Sequence, residues 1–148
     1  YLERSILMDK PFHYLSMSNH MMIQKHLMEY LKDSGLTLGQ PKVLDYLKIY
    51  DGASQKEIAA ACHIEAGSLT SILNRMEEKG IIERRMLNGN RRTYYIFLTE
   101  SGKKLQKLEE QGFSKIEKEV WDGISDIERD AFMKTFLKIN ENLSKQEI

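Results

Sequence analysis

Residues 54–102 read SQKEIAAACHIEAGSLTSILNRMEEKGIIERRMLNGNRRTYYIFLTESG, and this segment is the most informative in the chain. Its pattern predicts a helix over residues 54–62, a tight turn, a second helix over residues 66–79 that ends at Gly80, and a hairpin over residues 81–98. Two helices joined in this way place the second helix in a DNA major groove, and an arginine-bearing hairpin reaches the backbone or the minor groove. The order is typical of a winged helix-turn-helix, so DNA binding is the leading interpretation.

Local signals mark where the elements begin and end. A Ser or Thr followed three residues later by Glu or Gln is a capping box, in which each side chain bonds the other residue's free amide. Asn88-Gly89 favours the turn of a two-stranded hairpin. Pro41 lies just beyond the positions where proline is free of cost, which predicts an irregular helix start there. Three pairs fit the capping pattern: Thr37 with Gln40, Ser54 with Glu57, and Ser125 with Glu128.

The second helix of the pair has one apolar and one polar face. Leu69, Ile72, Leu73 and Met76 are predicted to face inward. The outer residues are small and polar, which is a poor choice for a merely solvated helix face and favours close approach to DNA. The candidate DNA-binding residues lie at the start of the first helix, on this outer face and in the hairpin: Ser54, Gln55, Gly67, Ser68, Thr70, Ser71, Asn74, Arg75, Arg84, Arg85, Asn88, Arg91 and Arg92.

Composition limits the classes of protein. The chain has 148 residues, 41% hydrophobic and 30% charged, which suits one globular domain. The charges of its 22 basic and 22 acidic residues cancel, so the formal net charge is zero. The arginines lie together in the hairpin, whereas acids that balance their charge lie elsewhere in the chain, such as Glu109-Glu110. We therefore expect the surface of the hairpin to be basic. With no long apolar run, no leader pattern and one cysteine, we expect a cytoplasmic protein with no membrane contact.

The first long helix, over about residues 11–32, is apolar on two sides. Phe12, Leu15, Met22, Ile23, Leu27 and Tyr30 share one face, and Tyr14, Met17, Met21 and Met28 lie nearly opposite. A chain of this size does not cover both faces alone, so we expect a homodimer that uses this helix and the last one, around residues 132–143. Gly35 is the candidate C-cap of the first helix. The whole chain is thus one domain, with a dimerisation region at 1–35 and 118–148 and a winged helix-turn-helix region at 36–102.

Several motifs in register resemble the MarR (multiple antibiotic resistance regulator) family of bacterial transcription factors. They are LTLGQPKVLDYL at residues 36–47, the helix pair, EEKGIIERR at residues 77–85, the arginine hairpin and FLTESGKKL at residues 97–105. The resemblance implies a mainly helical fold with a small β-wing and a dimer that recognises a pseudo-palindromic operator. It also implies a repressor that a small molecule or an oxidant releases from DNA. The family's wing usually carries an acid where this chain has Asn90, and Arg92 matches the arginine that enters the minor groove.

Candidates for an effector site come from the methionine-rich first helix. His13, Met17, His20, Met21 and Tyr46 are the proposed lining residues for a small apolar or aromatic effector, since thioethers adapt to irregular apolar shapes. For any single Met, filling of a dimer core is the favoured explanation. His13 and His20 share a face but have no third ligand in the pattern, so no metal or other cofactor is expected.

The remaining chemistry is sparse. Cys62 occupies a position typical of a small buried residue, and a neighbouring His63 is a weak reason to expect an activated thiol. No catalytic motif is present, so an enzyme is not expected. The leading function is a dimeric, sequence-specific DNA-binding repressor. The alternative is a winged-helix dimer that acts as a protein-interaction module, such as an antirepressor, and the zero net charge and Asn90 favour it.

Overall fold

The computed structural model describes residues 3–87, 89 and 92–145 of the chain. Predicted features at Asn88, Asn90 and Arg91 lie outside these described residues. The elements confirm a mainly helical fold with a small β-wing, and they follow in this order: α1 Arg4–Met8, α2 Phe12–Tyr30, α3 Gln40–Ile49, α4 Gln55–Ala61, α5 Ala66–Glu78, β1 Ile82–Arg85, β2 Tyr95–Leu98, α6 Glu100–Val120 and α7 Asp126–Ser144.

The chain divides into two compact units, one up to Phe113 and one from Ser114 onward. In the first unit, one cluster of apolar side chains joins α3, α4, α5 and the two strands. Burial of these side chains is the main force that holds the elements together. Nine residues of the cluster are at most 2% exposed: Val43, Leu44, Leu47, Ile58, Leu69, Leu73, Met76, Ile82 and Ile96.

The second unit contains the end of α6 and the whole of α7. Its aromatic side chains contact one another: Trp121 meets Phe132 edge-on at 6.1 Å between centroids, and Phe132 stacks on Phe136 at 5.3 Å. The guanidinium of Arg129 lies 4.8 Å from the centre of the Trp121 ring. No described residue of α7 is buried. None of the helices in the described part of the chain is long and apolar enough to cross a membrane.

Two of the three predicted capping boxes have their serine cap in place. Ser54 Oγ accepts a hydrogen bond from the Glu57 amide at 3.1 Å, and Ser125 Oγ accepts one from the Glu128 amide at 3.2 Å. The third pair is only half formed, because Gln40 Oε1 accepts from the Thr37 amide at 3.0 Å while the N-cap of α3 is Gly39.

The expectation at Pro41 needs a correction, because the unusual backbone conformation at the start of α3 belongs to Gly39 and not to the proline. Gly39 takes a left-handed φ of 91° just before the helix, which only glycine adopts without strain. Pro41 then falls in the first turn of the helix, where its missing amide costs nothing. The predicted end of the first long helix needs a correction too: α2 ends at Tyr30 with Leu31 as C-cap, so Gly35, although left-handed, lies in the following turn.

The wing is an antiparallel pair with Ile82 opposite Leu98 and Arg85 opposite Tyr95. Its strands are shorter than the predicted hairpin over 81–98. The segment before α4 pairs with β2 as well: Gly52 N donates to Ile96 O at 2.8 Å, and Ile96 N donates to Ala53 O at 2.9 Å. The base of the wing is thereby hydrogen-bonded to the start of the helix pair.

Candidate nucleic-acid interface

Helix α5 turns its predicted outer face to solvent. Leu69, Leu73 and Met76 are fully buried, which fixes the rotation of the helix about its axis. The six candidate contacts on the opposite side are all exposed, as predicted: Gly67, Ser68, Thr70, Ser71, Asn74 and Arg75. The result is a polar face on which short side chains permit close approach of a second molecule.

Two hydroxyl groups on this face bond to their own helix. Thr70 Oγ1 donates to Ala66 O at 3.0 Å, and Ser71 Oγ donates to Gly67 O at 3.4 Å. Gln55, at the start of α4, donates from Nε2 to Thr70 Oγ1 at 2.8 Å. The structure therefore brings together two predicted contact residues, Gln55 and Thr70, from different helices.

Ser54 and Gln55 also join the helix pair to the wing. The Gln55 amide donates to Tyr94 O at 3.1 Å, and Ser54 forms an isolated bridge with Tyr95. Ser54 is only 7% exposed, and its hydroxyl is the N-cap of α4. Its visible role is structural, and a DNA contact from Ser54 stays a prediction.

Arg84 is a predicted wing contact that the fold uses internally. Its Nη1 lies 3.1 Å from Glu77 Oε1, and its own amide donates to the other oxygen of Glu77 at 3.3 Å. Only 13% of the Arg84 side chain is exposed. This bidentate contact ties β1 to the last turn of α5 and neutralises the charge of Arg84.

Arg85 is paired as well. Its guanidinium bonds the Glu83 carboxylate and lies 4.4 Å from the centre of the Phe97 ring. The sequence predicts a locally basic surface at the hairpin, and the ion pairs with Glu77 and Glu83 reduce the positive charge at Arg84 and Arg85. DNA contacts from Arg84 and Arg85 stay predictions, while Arg92, nearer the tip, is exposed.

Glu109, one of the acids expected to balance the hairpin arginines, is fully buried on α6. No described donor reaches either of its carboxylate oxygens, and its close neighbour is Asp45 of α3. Burial, and then the Asp45 carboxylate, raise the pKa of Glu109 from 4.5 to about 8. Glu109 is therefore largely uncharged at pH 7, which changes the local charge that the sequence predicted.

The adjacent Glu110 behaves in the opposite way. Its Oε1 lies 2.7 Å from Lys48 Nζ, and this hydrogen bond lowers the pKa of Glu110. The same contact raises the pKa of Lys48. Two neighbouring glutamates thus face α3 with opposite electrostatic environments, one paired with a cation and one beside another carboxylate.

Cys62 is the C-cap of α4, at the start of the turn as predicted. Burial is the largest influence and raises the pKa of the Cys62 thiol, while Lys42 lowers it less strongly. An activated thiol beside His63 would need a lowered pKa, so the raised pKa of Cys62 speaks against activation. His63 itself takes a left-handed φ of 53° to make the turn.

The candidate effector residues are spread over two helices. His13, Met17, His20 and Met21 are exposed on α2, while Tyr46 on α3 is half-buried and packs against Tyr50 at 4.9 Å. A cavity of about 470 Å³ lies elsewhere, lined by Ser34, Gly35, Lys79, Ile81, Ser101, Lys104 and Leu105. In the described part of the chain, no group of three His, Cys, Asp or Glu residues is arranged to hold a metal ion.

Comparisons with known proteins agree with this geometry. The family model of MarR matches residues 36–94. The HTH-type transcriptional regulator YwoH of Bacillus subtilis is 30% identical over 115 residues, which are 78% of this chain and 83% of the relative. Among solved structures, a complex of S. aureus MepR with DNA is 28% identical with a TM-score of 0.79, covering 91% of this chain and 99% of that one. A MarR regulator from Methanosarcina mazei has a TM-score of 0.83 at 24% identity, covers 94% of both chains, and supports the fold.

Proposed function

The chain belongs to the MarR family of transcriptional regulators, and we propose that it is a homodimeric, sequence-specific DNA-binding repressor that a small molecule releases from its operator. The exposed polar face of α5, held beside the wing, is the observation that carries this proposal. In a helix-turn-helix the recognition helix enters the major groove with its N-terminal residues at the base edges. MepR of S. aureus, which is similar in fold, forms a complex with DNA, and this supports DNA binding by the present chain.

The division of roles along the chain follows from that proposal. Residues 36–102 bind DNA, and residues 1–35 and 118–148 form the dimerisation region. Ser68, Asn74 and Arg75 supply base-edge contacts, and Arg92 supplies a phosphate or minor-groove contact. As a regulator of transcription the chain acts in the cytoplasm, and it has no enzymatic activity of its own.

Exposed apolar side chains support the dimer. Such large apolar surfaces are unusual on a monomer and typical of an interface. On α2 they are Phe12, Met17, Met21 and Met22, each at least 52% exposed. On α7 they are Ile127, Phe132, Met133, Phe136, Leu137 and Leu143, each at least 42% exposed.

The effector site is proposed on α2 and α3, at His13, Met17, His20, Met21 and Tyr46. The exposed thioethers of α2 and the half-buried Tyr46 of α3 suit a small apolar or aromatic molecule, which a partner subunit would help to enclose. A thermal-shift screen of small aromatic and apolar compounds, followed by release of bound DNA, tests this part separately.

Selection of binding sites from random duplexes, followed by gel shifts at several salt concentrations, tests DNA recognition. We expect one enriched pseudo-palindrome with half-sites about 34–36 Å apart. Asn74→Ala should cost about 1–3 kcal/mol per lost base contact and alter the preferred sequence. Lys32→Ala, which removes an exposed charge on the turn after α2, is the control and should leave the preference intact. Unchanged preference in Asn74→Ala would refute this assignment of α5.

A protein-interaction module is the second candidate, and the ion pairs of Arg84 and Arg85 favour it because they reduce the positive charge of the wing. Binding to random and selected DNA at equal, weak affinity would support that module. A steep salt dependence together with an enriched sequence would reject it.

A further inference from the structure

We infer that Gln55 holds Thr70 in an orientation that makes Thr70 a reader of thymine through its methyl group rather than a hydrogen-bond donor to a base. The inference rests on the proposed binding of α5 to DNA and specifies how one position of the operator is recognised. Gln55 acts as a positioning residue, and Thr70 makes the contact.

The hydroxyl group of Thr70 is engaged in hydrogen bonds within the protein. A threonine hydroxyl has one proton to donate and two lone pairs that accept. The proton points to Ala66 O at 3.0 Å, within the same helix. One lone pair accepts from Gln55 Nε2 at 2.8 Å. Both distances lie within the range of ordinary hydrogen bonds, so Thr70 has no proton left for the acceptors that guanine and thymine present.

The same hydrogen bonds determine where the methyl group of Thr70 lies. Two hydrogen bonds fix the position of Oγ1 on Cβ, and the staggered geometry of Cβ then fixes the methyl position as well. Thr70 is exposed on the outer face of α5, where this methyl is its remaining apolar feature. In the major groove, the C5 methyl of thymine is the base feature that such a group contacts.

Gln55 is anchored to the wing through its backbone. It is half-buried, and its backbone amide donates to Tyr94 O at 3.1 Å, next to strand β2. The wing therefore holds the backbone of Gln55 where its side chain reaches Thr70. Ser71 is an internal contrast, since its hydroxyl donates to its own helix at 3.4 Å and its side chain has no methyl group.

The test replaces single thymines of the selected operator by uracil, which removes only the C5 methyl. For the wild-type protein, the loss at the recognised thymine should be about fourfold per half-site, and about fifteenfold when both half-sites are changed, as expected for burial of one methyl-sized group each. Thr70→Ser keeps the hydroxyl and loses the methyl. It should bind the thymine operator as weakly as wild type binds the uracil one, and it should not distinguish the two.

Two further variants separate the methyl from the hydroxyl. Thr70→Val removes the hydroxyl and both of its hydrogen bonds, but valine has one strongly preferred rotamer in a helix, which holds its methyl groups in place without those bonds, so this variant should retain the thymine preference. Gln55→Met removes the amide at similar volume, so it should reduce the thymine-to-uracil ratio towards one. Its salt slope and melting temperature should stay close to those of wild type, which a general loss of structure would not allow.

Several results would overturn the inference. Equal wild-type affinity for thymine and uracil at every position of an enriched operator would overturn it while leaving DNA recognition intact. Full thymine preference in Thr70→Ser or in Gln55→Met would do the same. Failure to enrich any sequence would overturn the proposed function, and this inference with it.

Discussion

Glu109→Gln should make the protein more stable at neutral and alkaline pH and should remove part of the pH dependence of folding. The Glu109 carboxyl is buried beside Asp45, without a described donor on either oxygen. A proton on Glu109 allows a hydrogen bond to Asp45, whereas loss of that proton leaves two carboxylates facing each other. Glutamine keeps a donor and nearly the same volume at this position and has no charge to lose.

The sign follows from proton linkage. The pKa of Glu109 is about 8 in the folded chain, against an ordinary value of 4.5. Below pH 4.5 both states hold the proton, and Glu109 costs no stability. Between pH 4.5 and 8 only the folded state holds it, so the free energy of unfolding falls as the pH rises. Above about pH 8 the penalty is complete.

The magnitude is set by the same two values. A difference between pKa 4.5 and about 8, at 1.36 kcal/mol per pH unit, corresponds to an upper bound of about 5 kcal/mol. Relaxation of the structure and entry of water reduce such penalties. We therefore expect the free energy of unfolding of the variant, relative to that of wild type, to be about 3–5 kcal/mol larger at pH 8.5 than at pH 4.5. Between pH 5 and pH 7 this difference should grow by about 2–3 kcal/mol.

Urea unfolding at fixed protein concentration, from pH 5 to pH 9, measures this difference. Glu110→Gln is the matched control, because Lys48 lowers the pKa of Glu110 and its effect should be constant above pH 5. Asp45→Asn should lower the folded-state pKa of Glu109, so the penalty should be smaller and should be complete at a lower pH. Parallel stability curves for wild type and Glu109→Gln would refute the reasoning, since they would mean that the folded carboxyl is already ionised at pH 5.

Four further outcomes are expected. Arg92→Ala should weaken binding to operator and random DNA alike and lower the magnitude of the salt slope by about 1 per subunit, so about 2 for a dimer; an unchanged slope would show that the wing does not touch DNA. Arg84→Ala should cost about 1–3 kcal/mol of stability in urea unfolding because Glu77 loses its partner, and Arg85→Ala, at a more exposed pair, should cost under about 1 kcal/mol; the reverse order would contradict the geometry. Sedimentation at micromolar concentration should show a dimer, and a fully folded monomer would contradict the apolar surfaces of α2 and α7 as an interface. Cys62 should react with iodoacetamide at pH 7 more slowly than free cysteine, because burial raises its pKa; faster alkylation would restore a redox role.

Much of the fold was predictable because its signals are local. Ser54 and Ser125 begin helices through hydrogen bonds that span three residues, so the sequence alone places those helix starts. The spacing of Leu69, Leu73 and Met76 likewise determines which face of α5 is buried and which is polar. The motifs around residues 36–105 were specific enough to indicate the family.

Contacts between separate elements needed the tertiary structure. Arg84 meets Glu77, Gln55 meets Thr70, and Glu109 lies beside Asp45 through the packing of one element on another. Periodicity indicates that a residue faces inward, but it does not identify the side chain that the residue contacts. The contact depends on the angle and rotation at which two helices pack. For that reason the sequence alone predicted an arginine-rich hairpin balanced by acids elsewhere, and only the folded chain paired Arg84 and Arg85 with glutamates and buried Glu109 beside Asp45.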